Sequence, residues 1–192
     1  MRRLAAFALL FALAACESGS AAEKPVETPS SAPPSVTMFS RFAVPCPTVG
    51  DRPGSPIDEP LDTPISLTAD CAYGSRTKFP HVNSLSTINK PGNPKGTPDE
   101  ITVEAFEKLR LKASTNSLEG IFSEERELGD EAFLMVSHAD NTTVLVVRKA
   151  NALVQASATI DAVGDQEKAL TQLRALEPQV TAVAQAVLAE LR

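Results

Sequence analysis

Apolar and polar positions change rhythm several times along this chain. Residues 4–13 form a short, unbroken apolar run. Residues 17–38, ESGSAAEKPVETPSSAPPSVTM, carry almost no large apolar side chain. Three later runs, EAFLMVS (131–137), TTVLVVRK (142–149) and ALVQASATI (152–160), have the β-branched, apolar character of strands. HADN separates the first two, and Ala150-Asn151 separates the second from the third. Asparagine tolerates left-handed backbone, so both connections read as hairpin turns and the three runs as an antiparallel meander.

Helical spacing brackets this meander. Thr97-Pro98-Asp99-Glu100 combines a capping threonine, a proline suited to the first helical position and a glutamate that completes a capping box. Val103, Phe106 and Leu109 follow at helical intervals, which predicts a helix to about Lys112. At the other end Gly164-Asp165 opens a helical tail. Leu170, Leu173 and Leu176 form one stripe, and Val180, Val183, Val187, Leu188 and Leu191 form another. Glu177-Pro178 interrupts them, which predicts two helices or one kinked helix, packed on one face of the sheet.

Of the fifteen prolines, only Pro178 lies beyond residue 98. Proline removes an amide donor and breaks inner strands. Residues 39–98 are therefore expected to be loop-rich, with short strands near 64–73 and 81–89. The fold class expected is α+β: a small antiparallel sheet with helices on one face, one disulfide, and a single domain over residues 39–192.

The first residues give an address. Arg2 and Arg3 precede the apolar run, which is too short to cross a hydrocarbon core of about 30 Å. This is the shape of a secretory signal over residues 1–15. Leu13-Ala14-Ala15-Cys16 resembles the bacterial lipobox. That resemblance implies a diacylglyceryl group on the Cys16 thiol, cleavage just before it, and a mature chain held at the extracytoplasmic face of the cell membrane. The alternative is an ordinary signal cut near Ala15, with Cys16 incidental. Two acyl chains suffice for stable anchoring. Residues 16–38 then form the lipidated cysteine and a disordered or polyproline-like tether.

Removing residues 1–15 leaves sixteen basic and twenty-four acidic residues, a net charge of −8. Such acidity argues against nucleic acid, whose affinity comes from phosphate neutralisation. Six phenylalanines, Tyr73 and no tryptophan supply few stacking platforms for bases or sugars. Cys46 and Cys71 remain as an even pair in an exported chain, which reads as a disulfide closing a 25-residue loop. Chain entropy makes such a closure worth about 3–4 kcal/mol. The alternative, a metal-binding or catalytic thiol pair, lacks a CxxC, and His81 and His138 lie elsewhere in the sequence.

Candidate chemistry is sparse. No G-x-S-x-G elbow is present. Ser137, His138 and Asp140 sit close in sequence, but neighbours along a tight turn rarely converge on one centre, so His138 reads as a turn residue. His81 follows Pro80 beside an expected strand and also reads as structural. SEERELGDE (123–131) lacks the alternating register of a calcium loop and reads as a solvated acidic loop. Within it, Gly129 supplies an unusual backbone conformation and Asp130 caps a turn. NTT (141–143) matches a glycosylation sequon by chance. Residues 71–98 hold Arg76, Lys78, Lys90 and Lys95 and no acid, whereas residues 99–131 hold ten acids and four bases. The four cations are a possible surface for an anionic partner; the alternative is internal pairing or plain solvation.

Several short motifs occur in a fixed order: the lipobox, the low-complexity segment, VPCP (44–47), DCAYG (70–74), ELGDEAF (127–133) and VLVVRKANALVQASA (144–158). In this respect the chain resembles a group of actinobacterial lipoproteins of unknown function. Cys46, Cys71, Tyr73, Leu128, Gly129, Asp130, Glu131, Ala132 and Asn151 fill that group's characteristic positions. Pro45 and Pro47 depart from the helix expected around the first cysteine, and Ala150 stands where glycine is usual. The group is also akin to extracellular sensor domains of mycobacterial serine/threonine kinases, which implies ligand sensing or partner binding. The function expected is a non-catalytic binding or accessory module of the cell envelope. It needs no cofactor or metal, and its partners are the membrane, through Cys16, and an envelope protein or small ligand. A structural or assembly role without a ligand pocket is the alternative, and an envelope hydrolase the weakest.

Overall fold

The computed structural model describes residues 37–75, 77–115 and 121–192. Residues 1–15, Cys16, nearly all of the expected tether and Arg76 lie outside the described residues. In chain order the elements are β1 (Gly54–Pro56), β2 (Leu61–Asp62), β3 (Ser66–Tyr73), β4 (His81–Asn89), α1 (Pro98–Thr115), β5 (Ile121–Arg126), β6 (Glu131–Ser137), β7 (Thr142–Lys149), β8 (Ala152–Thr159), α2 (Gln166–Arg174) and α3 (Glu177–Ala189).

The helix starts follow from their capping residues. The Thr97 amide donates to Glu100 Oε2 at 2.8 Å and the Glu100 amide to Thr97 Oγ1 at 3.4 Å, a reciprocal capping box. Asp165 accepts from the Lys168 amide at the head of α2. Pro178 sits in the first turn of α3, where its missing amide costs nothing.

The strands form one antiparallel sheet in the order β1-β3-β4-β8-β7-β6-β5, with β2 also on β3. The expected meander is β6–β8, and β4 joins it by pairing with β8. Register defines two faces. Cys71, Ser84, Ala156, Leu145 and Leu134 share one cross-sheet row, and Asp70, Leu85, Gln155, Val146 and Phe133 share the neighbouring row on the opposite face. The first face carries the main core, with Leu173, Val180, Val183 and Val187 from α2 and α3 packed on it. The second carries a smaller core in which Phe106 of α1 meets Phe133 edge-on at 5.3 Å, with Val146 and Leu153 beside it.

The terminal helices thus lie on one face as expected, but α1 lies on the other. Phe133 and Leu134, and likewise Val146 and Val147, are consecutive buried residues, the pattern of strands covered on both sides. A second correction concerns 123–131. Residues 121–126 form β5, an edge strand, and the loop is confined to 127–130. The strands expected near 64–73 and 81–89 are β3 and β4; the prolines of 39–97 fall in loops or on the edge strand β1 and spare both.

Cys46 and Cys71 form the disulfide, with Cα atoms 5.6 Å apart. It staples the irregular segment before β1 to the buried Cys71 of β3. A second staple is backbone-made: Ser40 and Arg41 amides donate to the Arg192 carbonyl, and the Ala43 amide to that of Glu190. No helix among the described residues is long and apolar enough to cross a membrane.

Candidate functional site

Two groups of residues occupy opposite ends of the long strands. The nine residues of β4, His81–Asn89, separate them by about 27 Å at the usual rise per residue.

At the Asn89 end the motif residues converge on the β7–β8 turn. Asn151 is 1% exposed. Its Nδ2 donates to the carbonyls of Phe39 at 2.8 Å and Asn89 at 2.7 Å, and its Oδ1 accepts from the Phe39 amide at 2.8 Å. Asn89 in turn donates to Thr102 Oγ1 in α1 at 2.8 Å. Asp130 Oδ2 accepts the Ala150 amide at 2.6 Å, so it caps the next hairpin rather than its own loop. Arg148 links Glu131, at 2.7 Å, to Asp99 at the head of α1, at 3.2 Å. Gly129 has φ +68°, and a Cβ there would stand 2.5 Å from the Arg148 carbonyl oxygen. Ala132 is buried beneath. The left-handed residue of this turn is Ala150, at φ 47°, and not Asn151, whose amide is spent on the clasp. The arrangement holds residues 39–43 where the chain joins the domain.

Of the four cations of the expected basic surface, Arg76 lies outside the described residues, and the described Lys78, Lys90 and Lys95 are not brought together. Lys78 precedes β4 and lies at the far end from Lys90 and Lys95. Lys90 Nζ is bonded to Asp62 Oδ1 and to the Thr63 carbonyl. Lys95 stands near enough to Glu104 to help hold that carboxyl below its ordinary range, after the larger effect of Lys108. The Ser137–Asp140 pair is a turn lock: Ser137 Oγ donates to Asp140 Oδ2 at 2.8 Å and accepts the Asp140 amide at 3.1 Å. In the sequon, Thr143 is buried and donates to the Leu173 carbonyl, closing the end of α2.

At the His81 end a cleft of about 290 Å³ opens among Ile57, Ser75, His81, Asn83 and Thr159. The His81 ring lies 4.2 Å from that of Phe79, which is exposed. Tyr73 backs the cleft. Burial pushes its hydroxyl pKa up, and a hydrogen bond with Ser84 partly offsets this. Glu100 is held below its ordinary range by hydrogen bonds with Thr97, and Glu104, Arg110 and Glu177 are shifted by hydrogen bonds to charged partners; all lie toward the surface. Among the described residues no group of three or more His, Cys, Asp and Glu is placed to hold a metal.

The cleft runs into the half of the α1 face that no element among the described residues covers. Here β3, β4 and β8 present Thr68, Asp70, Asn83, Thr87, Gln155 and Ser157, all half-buried. Leu85 lies among them at 41% exposure, with Ile57 at 38% and Leu61 at 62% on the adjoining edge. Sequence reading missed this face. Its only signal is the alternation Asn83, Leu85, Thr87, and the intervening Ser84 and Ser86 are polar yet buried, which blurs it.

Compared with known proteins, the chain matches no family model, no curated protein and no solved structure.

Proposed function

We propose that this chain is a cell-envelope lipoprotein whose domain binds a protein partner outside the membrane, without catalysis. The lipobox-like Leu13-Ala14-Ala15-Cys16, the polar segment after it and the resemblance to actinobacterial lipoproteins support the anchoring. The observation that carries the binding role is the uncovered half of the sheet, where Leu85, Ile57 and Leu61 stand exposed on a regular β surface. Exposed apolar side chains grouped on one surface mark interaction sites.

Native mass spectrometry of protein extracted gently from its own membranes tests this reading. The expected species carries lipid on Cys16, the Cys46–Cys71 bridge and a bound polypeptide. A bare lipidated monomer would contradict the binding role. Bound mass of small-molecule size would favour a second reading, carried by the cleft beside His81, in which the domain senses a small ligand.

A further inference from the structure

We infer that the partner presents a cationic amphipathic α-helix to the uncovered half of the sheet, alongside α1. This rests on the reading of that half as a protein-binding surface. The first argument is width. On the same face α1 already covers Phe133, Val146 and Leu153 with Phe106 and Leu109. The half left open spans β3, β4 and β8, about 10–14 Å across at the usual strand spacing, which is one helix diameter with side chains.

The second argument is chemical. Ile57 and Leu85 flank Asp70 in one cross-sheet row, and Leu61 faces Thr68 in the row two residues away. An apolar helix stripe meets this spacing. Asp58 and Glu59 are exposed beside Ile57, and Asp70 lies within the row. None of these three carboxylates has a lysine or arginine partner among the described residues, and the nearby Lys90 is taken by Asp62. A partner flanking its apolar stripe with lysine or arginine supplies the missing charges. Such complementarity sets encounter rate and register more than affinity.

The test uses the full mature chain carrying Cys16→Ser, isotope-labelled for NMR. Three synthetic helices of about fourteen residues, some 21 Å long, serve as probes: an amphipathic Leu/Lys peptide, a shuffled Leu/Lys peptide without the stripe, and an amphipathic Leu/Glu peptide. The amphipathic Leu/Lys peptide alone is expected to shift amides of β3, β4 and residues 57–62. Leu85→Lys, and separately Asp58→Lys with Glu59→Lys, should each weaken it by about tenfold. All three positions are exposed, so the fold survives these changes. Equal binding of the shuffled peptide, shifts confined to α2 and α3, indifference to Leu85→Lys, or no binding would each overturn the inference. A partner that crosslinks at Leu85 in cells while the Leu/Lys helix fails would leave the surface reading standing and remove only the helix.

Discussion

The side-chain amide of Asn151 holds the backbone of Phe39 from both sides, accepting its N–H and donating to its carbonyl, each at 2.8 Å. The two residues are 112 positions apart. Through this pair the β7–β8 turn grips the segment 39–43, and the second Nδ2 bond, to Asn89, ties in β4.

Asn151→Ala would leave the Phe39 amide and the Asn89 carbonyl without that partner in a buried setting. A loss of about 2–4 kcal/mol is expected, the cost of orphaning more than one buried group. Chemical denaturation would measure it. Hydrogen exchange should also speed up at Ser40, Arg41 and Ala43, which bond to Arg192 and Glu190 from the same strap, residues 39–43. Unchanged exchange there would show that the strap holds without Asn151.

Gly129→Ala combines a left-handed backbone with a Cβ 2.5 Å from a backbone oxygen, which no rotamer relieves. A destabilisation of about 2–4 kcal/mol is expected. Gly92→Ala is the control: it also has positive φ, but nothing lies within 4 Å of the added Cβ, so its cost should stay near 1 kcal/mol, about the backbone term alone. Equal effects would mean that packing against Arg148 is unimportant.

Much of this framework is legible in the sequence. The boundaries of β6, β7 and β8, the split between α2 and α3 at Pro178, and the Cys46–Cys71 bridge all follow from local pattern. The rest depends on tertiary context. β5 is hidden because its sequence, IFSEER, shows no alternation of apolar and polar residues. The side taken by α1 is hidden because Phe133 and Leu134 are equally apolar, so either face could be the covered one. The roles of Asp130 and Asn151 are visible only once the turn they grip is placed beside the loop and the strap.

Ser86 offers a test in the opposite direction. Its hydroxyl is buried on the main-core face with no hydrogen-bond partner among the described residues. Ser86→Ala removes that desolvated group with little change in volume. Stability should rise by about 1 kcal/mol, measured by the denaturation midpoint at unchanged slope. A loss of similar size would show that the hydroxyl has a partner, such as an ordered water.

Acid should weaken the contact between α3 and β5. Arg126 grips Glu177 through Nε–Oε1 at 2.6 Å and Nη2–Oε2 at 3.1 Å. That hydrogen bonding holds the Glu177 carboxyl below its ordinary range, against an opposing effect of burial and with help from the arginine charge. A carboxyl whose pKa is lower folded than unfolded contributes stability above the unfolded value and loses it as pH falls through the folded one. Glu177→Gln should therefore cost about 0.5–1 kcal/mol at neutral pH, a partly exposed pair being screened. The difference from the parent should vanish at pH values below the ordinary glutamate range. A difference that persisted in acid would assign the effect to packing.

Site-specific photo-crosslinking in living cells addresses the binding surface most directly. The crosslinker would be placed in turn at Ile57 and Leu85 on the open half of the sheet, and at Gln185, an exposed position of α3 on the opposite side. The account predicts the same polypeptide adduct from Ile57 and Leu85 and none from Gln185. Adducts of equal strength from Gln185, or none from the two sheet positions, would contradict it.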